Sequence, residues 1–312
     1  MGREPRAAGQ AVTMLAADGP NSVAVATGLV GDEWTLWIVA RALEQGLTRY
    51  SDWLAAGPIS SSVLMSRLAR LVEAEVFERE LNRYHLTQRG RQLWPLLLAI
   101  GAWERRWAMA GNDPPPTRHT ECGNVFAPVL VCAACDRPTG SRDVTSDWGR
   151  SGSWSRTIPV TATRRRTRDG VRAAELVRET MELLGSRWSA TLLGAVFRGA
   201  SRFGEFEQYM GAPPLVISER LRTFCTLGVL VAVTAPDRQR TDYRLTDKGR
   251  SFYPVVALLL DWGARWFHSP DGPAVVFVHV CGEPFHPRLV CDQCGRHLRG
   301  SHVQPVRSPG EG

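Results

Sequence analysis

Apolar residues fall at helical spacing in the same order twice along the chain. Over 34–45, Leu36, Ile38, Val39 and Leu43 share a face, as do Leu192, Leu193, Val196 and Phe197 over 188–198. Gly46 and Gly199 predict where these helices stop. A short helix is expected over 50–55 and again over 203–210. A third helix starts after Pro58 or Ala212, with Leu64, Leu68 and Leu71 inward, matched by Ile217, Leu221 and Phe224. The period then changes. Residues 231–245 alternate around a polar turn, which predicts a β-hairpin, whereas 77–84 leaves room only for a stunted one. A long helix follows, capped by Thr87 or Thr246 and running through Trp94, Leu97, Leu98 and Trp103 to Trp107, or through Tyr253, Val256, Leu260 and Trp262 to Trp266. These four tryptophans, paired at i, i+4, are expected to form the interface between the halves.

Three helices, a hairpin and a helix make a winged helix-turn-helix, so the expected class is mainly α with small β (α+β), present in duplicate. The spacing locates the difference between the copies. Arg49 and Arg202 are 153 residues apart, as are Arg67 and Arg220, whereas Leu86 and Leu245 are 159 apart, as are Cys122 and Cys281. The extra six residues therefore lie in the second hairpin. The boundaries expected are winged helices over 19–110 and 169–269, a small cysteine-bearing module after each (116–145 and 274–304), and a basic flexible linker over 146–168. Tails span 1–18 and 305–312.

Composition narrows the function classes. The 312 residues carry a net charge of +7, and the pI is near 9.3, which favours a polyanionic partner. No apolar run suits a membrane span, no secretory signal is evident, and the protein is expected to be cytoplasmic. No nucleophile–base pair, phosphate-cradling glycine loop or paired carboxylate stands out, so an enzyme is not expected.

Six of the seven cysteines form two matching triplets, and Cys225 stands alone on an apolar helix face. Three per copy suits metal ligation better than disulfides. A C-x-x-C turn and an H-x-x-C-G or H-x-C-G turn supply three thiolates and an imidazole, the closed tetrahedral set of structural zinc. The expected sets are His119, Cys122, Cys132 and Cys135 in the first module, and His279, Cys281, Cys291 and Cys294 in the second. That gives two structural Zn2+ per chain, in zinc-ribbon-like β-hairpins too small to bury a sufficient core alone. The histidine spacing differs between copies, so His286, His297 or His302 stands as an alternative to His279. A metal-free ribbon and a redox dithiol remain open readings.

Several motifs together resemble those of HxlR-type winged-helix transcription regulators. Gly31-Asp32-Glu33-Trp34 and Gly185-Ser186-Arg187-Trp188 resemble the family's G-G-K-W opening. Arg49-Tyr50-Ser51-Asp52-Trp53 and Arg202-Phe203-Gly204-Glu205-Phe206 resemble its R-F-x-E-L. Ile59-Ser60 through Arg67-Leu68 resembles its I-S…L…R-L. Leu86-Thr87-x-x-Gly90 and Leu245-Thr246-x-x-Gly249 resemble its L-T-x-x-G. The resemblance implies a DNA-binding regulator that dimerises through terminal helices, with Arg67 and Arg220 on recognition helices and the wing at the minor groove.

In the first copy Ser60, Ser61, Ser62, Ser66, Arg67 and Arg70 would face the major groove, and in the second Ser218, Arg220 and Arg222. Arg49 and Arg202 are candidates for phosphate, and Arg238 and Arg240 for the minor groove or phosphate. Arg67 and Arg220 are equally suited to pairing with a carboxylate such as Asp52 or Glu205. The second recognition helix opens with Ala212-Pro213 in place of Ile-Ser, so the heads should differ in what they read. The expected function is a regulator of transcription, a repressor rather than an activator, acting on double-stranded DNA. It would work as an intramolecular pseudo-dimer on an imperfect palindrome, with a monomer or homodimer as the state in solution. A zinc-ribbon protein-interaction module with degenerate winged helices is the alternative. A small-molecule effector of unknown identity fits the Trp-rich helix junctions.

Overall fold

The computed structural model describes residues 12–108, 115–159, 177–234 and 240–306. The first copy runs β1 (Thr13–Met14), α1 (Ser22–Val30), α2 (Glu33–Gln45), α3 (Tyr50–Ala56), α4 (Ser61–Glu73), the wing β2 (Phe77–Glu80) and β3 (Arg83–Leu86), α5 (Gln88–Arg91) and α6 (Trp94–Trp107). Its cysteine module holds β4 (Thr117–His119), β5 (Val125–Phe126), β6 (Pro128–Cys132) and β7 (Val144–Trp148), followed by α7 (Trp154–Thr157). The second copy runs α8 (Arg178–Leu184), α9 (Arg187–Phe197), α10 (Phe203–Met210), α11 (Pro214–Thr226), the wing β8 (Leu230–Thr234) and β9 (Thr241–Leu245), α12 (Asp247–Arg250) and α13 (Tyr253–Trp266). It closes with β10 (Phe267–His268), β11 (Val275–His279), β12 (Pro287–Cys291) and β13 (Val303–Pro305).

Both winged helices form as the periodicity implies. Leu64, Leu68 and Leu71 on α4, and Ile217, Leu221 and Phe224 on α11, are buried. Capping side chains fix the helix starts: Asp32 accepts the Thr35 N–H and Ser186 the Ser189 N–H, each at 3.0 Å. The L-T-x-x-G motif has a steric cause. A Cβ at Gly90 or Gly249 would lie 2.2 Å from the carbonyl oxygen of Val76 or Val229, so only glycine lets this turn close on the strand. Thr87 and Thr246 cap only the short α5 and α12, not the long helix as expected from sequence. Pro95 and Pro254 have no N–H to continue the helical ladder, so α6 and α13 begin afresh at Trp94 and Tyr253.

The halves are joined by a pseudo-two-fold exchange. Trp103 Nε1 donates to the Lys248 carbonyl at 3.2 Å, and Trp262 Nε1 donates to the Arg89 carbonyl at 3.0 Å. These are the same contact made in both directions, since Trp103/Trp262 and Arg89/Lys248 are equivalent positions of the repeat. The Arg89 guanidinium, fully buried, lies over Trp266 at 5.2 Å, and the Lys248 ammonium over Trp103 at 5.5 Å. Lys248 Nζ also donates to the Trp107 carbonyl at 3.4 Å. All four tryptophans thus meet the other half, as their i, i+4 spacing suggests.

Two helices absent from the sequence reading complete the exchange. α1 packs on α13 of the other half, so closely that a Cβ on Gly263 would stand 2.7 Å from the Ala26 Cβ. α8 packs on α6, where the buried Glu104 carboxylate accepts the Thr180 N–H at 2.7 Å. Burial pushes the Glu104 pKa up, against the pull of its bonds to Thr180. The core is continuous across both halves and both cysteine modules.

Two boundary expectations need correction. The stretch expected as a linker over 146–168 begins as ordered structure, because β7 pairs with β11 across Trp148↔Val275 to Val144↔His279, and α7 follows; 160–168 lies outside the described residues. The expected tail 1–18 contributes β1, which pairs in parallel with β10, while 1–11 lies outside the described residues.

Candidate metal centres and nucleic-acid interface

The two cysteine modules do not fold side by side as independent ribbons. β6 pairs antiparallel with β12, with Pro128 opposite Cys291 and Cys132 opposite Pro287. β13 extends the β4–β5 hairpin, completing the interlock. This register decides the ligand sets. Cys132 stands four residues along its strand from Pro128, about 13 Å at the usual rise. Cys291 of the other module lies directly opposite Pro128 and so reaches the first H-x-x-C turn.

The result is crossed ligation. His119 and Cys122 cluster with Cys291 and Cys294, and Cys132 and Cys135 cluster with His279 and Cys281. All eight side chains identified from sequence are ligand-competent, but the partition into one set per module is wrong. Each cluster draws two donors from each module, because strand pairing between copies displaced pairing within them.

In the first cluster His119 Nδ1 lies 3.4 Å from the Sγ atoms of Cys122 and Cys294, and Cys122 Sγ lies 4.0 Å from Cys291 Sγ. In the second, His279 Nδ1 lies 3.6 Å from Cys135 Sγ. Within each cluster the donor atoms all fall within 4.8 Å of one another. A tetrahedral ion with thiolates at about 2.3 Å and an imidazole at about 2.0 Å has edges of this order.

Both imidazoles have polar neighbours outside the thiol sets. Thr139 Oγ1 sits 3.2 Å from His279 Nε2, and the Cys281 N–H donates to Nδ1 at 3.3 Å, a bond that a metal at Nδ1 would displace. Glu121 Oε2 stands 3.7 Å from His119 Nε2, beyond hydrogen-bonding distance. The alternative histidines are engaged elsewhere: His286 with Asp261, His297 with Asp136, and His302 with Glu121. Burial pushes the Cys132 and Cys291 thiols up. The backbone of Asn124 draws Cys122 down and that of Arg137 draws Cys135 down.

The two reading heads differ more than their sequences suggest. Arg67 makes a bidentate contact with Asp32, Nε to Oδ1 at 2.8 Å and Nη2 to Oδ2 at 2.7 Å. Arg70 Nη2 donates to the Gly28 carbonyl at 2.7 Å. Both guanidiniums, expected at the major groove, are held against the scaffold; the partner of Arg67 is Asp32 rather than Asp52. The position equivalent to Asp32 is Ser186, and Arg220 instead pairs with its neighbour Glu219 at 2.8 Å.

Ser60, Ser61, Ser62 and Ser66 are exposed at the start and along the outer face of α4, with the Tyr50 hydroxyl donating to the Ser61 carbonyl at 2.8 Å. Arg222 is exposed on α11, Ser218 is half-buried, and Leu215 stands 79% exposed at its first turn. Arg49 and Arg202 are exposed before α3 and α10, with Arg202 Nε 3.6 Å from Asp242. Arg240 is exposed at the second wing, whereas Arg238 lies outside the described residues. The first wing carries exposed Arg79 and Arg83, missed in the sequence because the short hairpin was read as too stunted to matter.

The profile of the HxlR-like helix-turn-helix family matches residues 29–112 and again 183–271. The chain belongs to the HxlR-like helix-turn-helix family. These HxlR-like segments cover the helix-turn-helix and wing of both copies and contain none of the eight metal-competent side chains. The chain is 36% identical over 138 residues to an uncharacterised HTH-type transcriptional regulator of Mycobacterium tuberculosis, a match spanning 44% of this chain and 87% of the relative. It is 32% identical over 92 residues to the uncharacterised HTH-type regulator YvaP of Bacillus subtilis, over 28% of this chain and 83% of the relative. The crystal structure of PA1607, a candidate transcription factor, shares 30% identity with a TM-score of 0.30, over 42% of this chain and 88% of that one. HxlR-like proteins are transcriptional regulators and not enzymes. Among the described residues no single helix is long and apolar enough to cross a membrane.

Proposed function

We propose that the chain is a sequence-specific DNA-binding repressor that carries both halves of an HxlR-like dimer in one polypeptide. The reciprocal Trp103–Lys248 and Trp262–Arg89 hydrogen bonds carry this reading, since they give the two winged helices the two-fold relation that a palindromic operator demands. Ser60 to Ser62 and Ser66 on one head, and Ser218 and Arg222 on the other, approach base edges. Arg49, Arg202 and Arg240 approach phosphate or the minor groove. Because Arg67 and Arg70 are engaged by Asp32 and Gly28, the first head contributes hydroxyls where the second contributes a guanidinium. The operator is therefore an imperfect palindrome. Repression follows from a two-headed body occupying that operator.

Two structural zinc ions, one in each crossed cluster, staple the halves together. Their chemistry is that of a cross-link, since three thiolates and one imidazole fill a tetrahedral shell and leave no open position. The test is a mobility-shift titration with the upstream region of the protein's own gene. A salt-sensitive, sequence-selective shift that weakens on Arg222→Ala and Arg240→Ala supports the reading. A shift of equal strength on unrelated duplex refutes it. The engagement of Arg67 and Arg70 favours one second reading, a protein-docking module with degenerate winged helices. That reading gains if neither substitution alters DNA affinity.

A further inference from the structure

A cavity lies at the junction of α1, α9, α13 and the segment that joins the halves. It measures about 100 Å³ and is walled by Trp148, Trp154, Phe197, Tyr253 and Phe277, with the Arg198 side chain in its lining. Counting from the equivalent Trp34 and Trp188, its Ala190 and Thr191 correspond to Leu36 and Trp37, which fill space in the first half.

Arg198 is the one cationic side chain of the lining. Its guanidinium stacks 4.1 Å from the Trp148 ring centroid and 5.9 Å from that of Trp154, which itself stacks on Tyr209 at 4.8 Å. Its Nη1 donates weakly to Ser146 Oγ at 3.4 Å, and among the described residues no carboxylate lies within ion-pair distance. Asp147 and the Tyr209 hydroxyl are the acidic groups nearest to it, and burial outweighs both in drawing its pKa down. A desolvated guanidinium stacked on indole rings keeps hydrogen-bonding capacity for an anion. The rest of the wall offers aromatic faces.

We infer that this cavity binds a small planar aromatic carboxylate of about the size of benzoate, its ring among the aromatic walls and its carboxylate on Arg198. A closed cavity of about 150 Å³ holds benzene; the enclosed space here is smaller but opens to solvent, so it takes part of a single ring with the rest at its mouth and excludes larger polycyclic acids. The occupant would touch both the inter-copy segment and α9, which packs on α11. The inference concerns binding only and stands independently of the DNA-reading proposal.

The test uses 4-fluorobenzoate and the intact chain, read by ¹⁹F NMR and calorimetry. One saturable site per chain is expected. Affinity should fall about tenfold or more for the neutral 4-fluorobenzamide and for Arg198→Gln, the loss expected for a charge-assisted hydrogen bond. Gly194→Phe should abolish binding; a Cβ there meets nothing within 4 Å, so the ring can enter the cavity without displacing backbone. Absence of saturable binding to the unmodified protein overturns the inference. So does equal affinity for acid and amide, which keeps the test decisive even if Arg198→Gln fails to fold.

Discussion

Crossed ligation makes a prediction that an uncrossed pair of ribbons contradicts. Replacing any cluster cysteine by serine removes one thiolate from a four-donor shell. Structural zinc sites hold their ion by about 10–16 kcal/mol at neutral pH, so a broken shell releases it during purification with a competing chelator. The informative variants are pairs. Cys122 and Cys291 share a cluster, with their sulfurs 4.0 Å apart. Cys122 and Cys132 share a module but belong to different clusters, because Cys132 stands about 13 Å along β6 from the position opposite Cys291. Cys122→Ser/Cys291→Ser should therefore retain one zinc per chain, and Cys122→Ser/Cys132→Ser none. Elemental analysis by mass spectrometry, normalised to protein, measures this directly. The opposite pattern, with one zinc retained by the same-module pair and none by the crossed pair, refutes the strand register and the interlock with it.

Two further outcomes follow from packing and charge. Gly263→Ala should lower stability by about 1–3 kcal/mol in calorimetry, because its Cβ would overlap the Ala26 Cβ at 2.7 Å and press on the Ser22 carbonyl at 3.0 Å; an unchanged melting temperature argues against the α1–α13 exchange. Glu205 accepts the Ser201 and Arg202 N–H groups at 2.7 and 2.9 Å, which hold its carboxyl below the usual 4.5. With the folded pKa depressed, its stabilisation is complete above the unfolded value and is lost as pH falls through the folded one. The stability gap between the parent and Glu205→Gln should thus be present at neutral pH and close in acid; a gap that widens in acid contradicts this account.

Much of this architecture is legible in the sequence, and the failures have physical causes. Leu64, Leu68 and Leu71 declare α4 because a helix buried on one face leaves a 3.6-residue signature. α1 leaves none. Ala24, Ala26, Thr27, Leu29 and Val30 are buried around most of its circumference, since it lies between the halves, and a helix covered on most sides has no polar face to mark its period. The eight metal donors are visible as residue types at fixed short spacings, but their partition is set by β6–β12 pairing, in which Pro128 meets Cys291, 163 residues later in the chain. Local spacing carries no information about which copy of a repeat supplies the other half of a site. Arg67 shows the same limit. Its helical position suits DNA, yet Asp32, thirty-five residues earlier, takes its guanidinium. The first copy has Asp32 where the second has Ser186, so this guanidinium is tied down in one head and not by the same residue in the other.

The central claim is that one chain supplies both halves of the reader. Native mass spectrometry of the chain bound to its selected operator, combined with footprinting of the same complex, measures this most directly. The account predicts one chain per duplex and two protected half-sites of unequal sequence, about 10 base pairs apart from centre to centre or a multiple of that. Two chains per duplex, each protecting a single half-site, would contradict it.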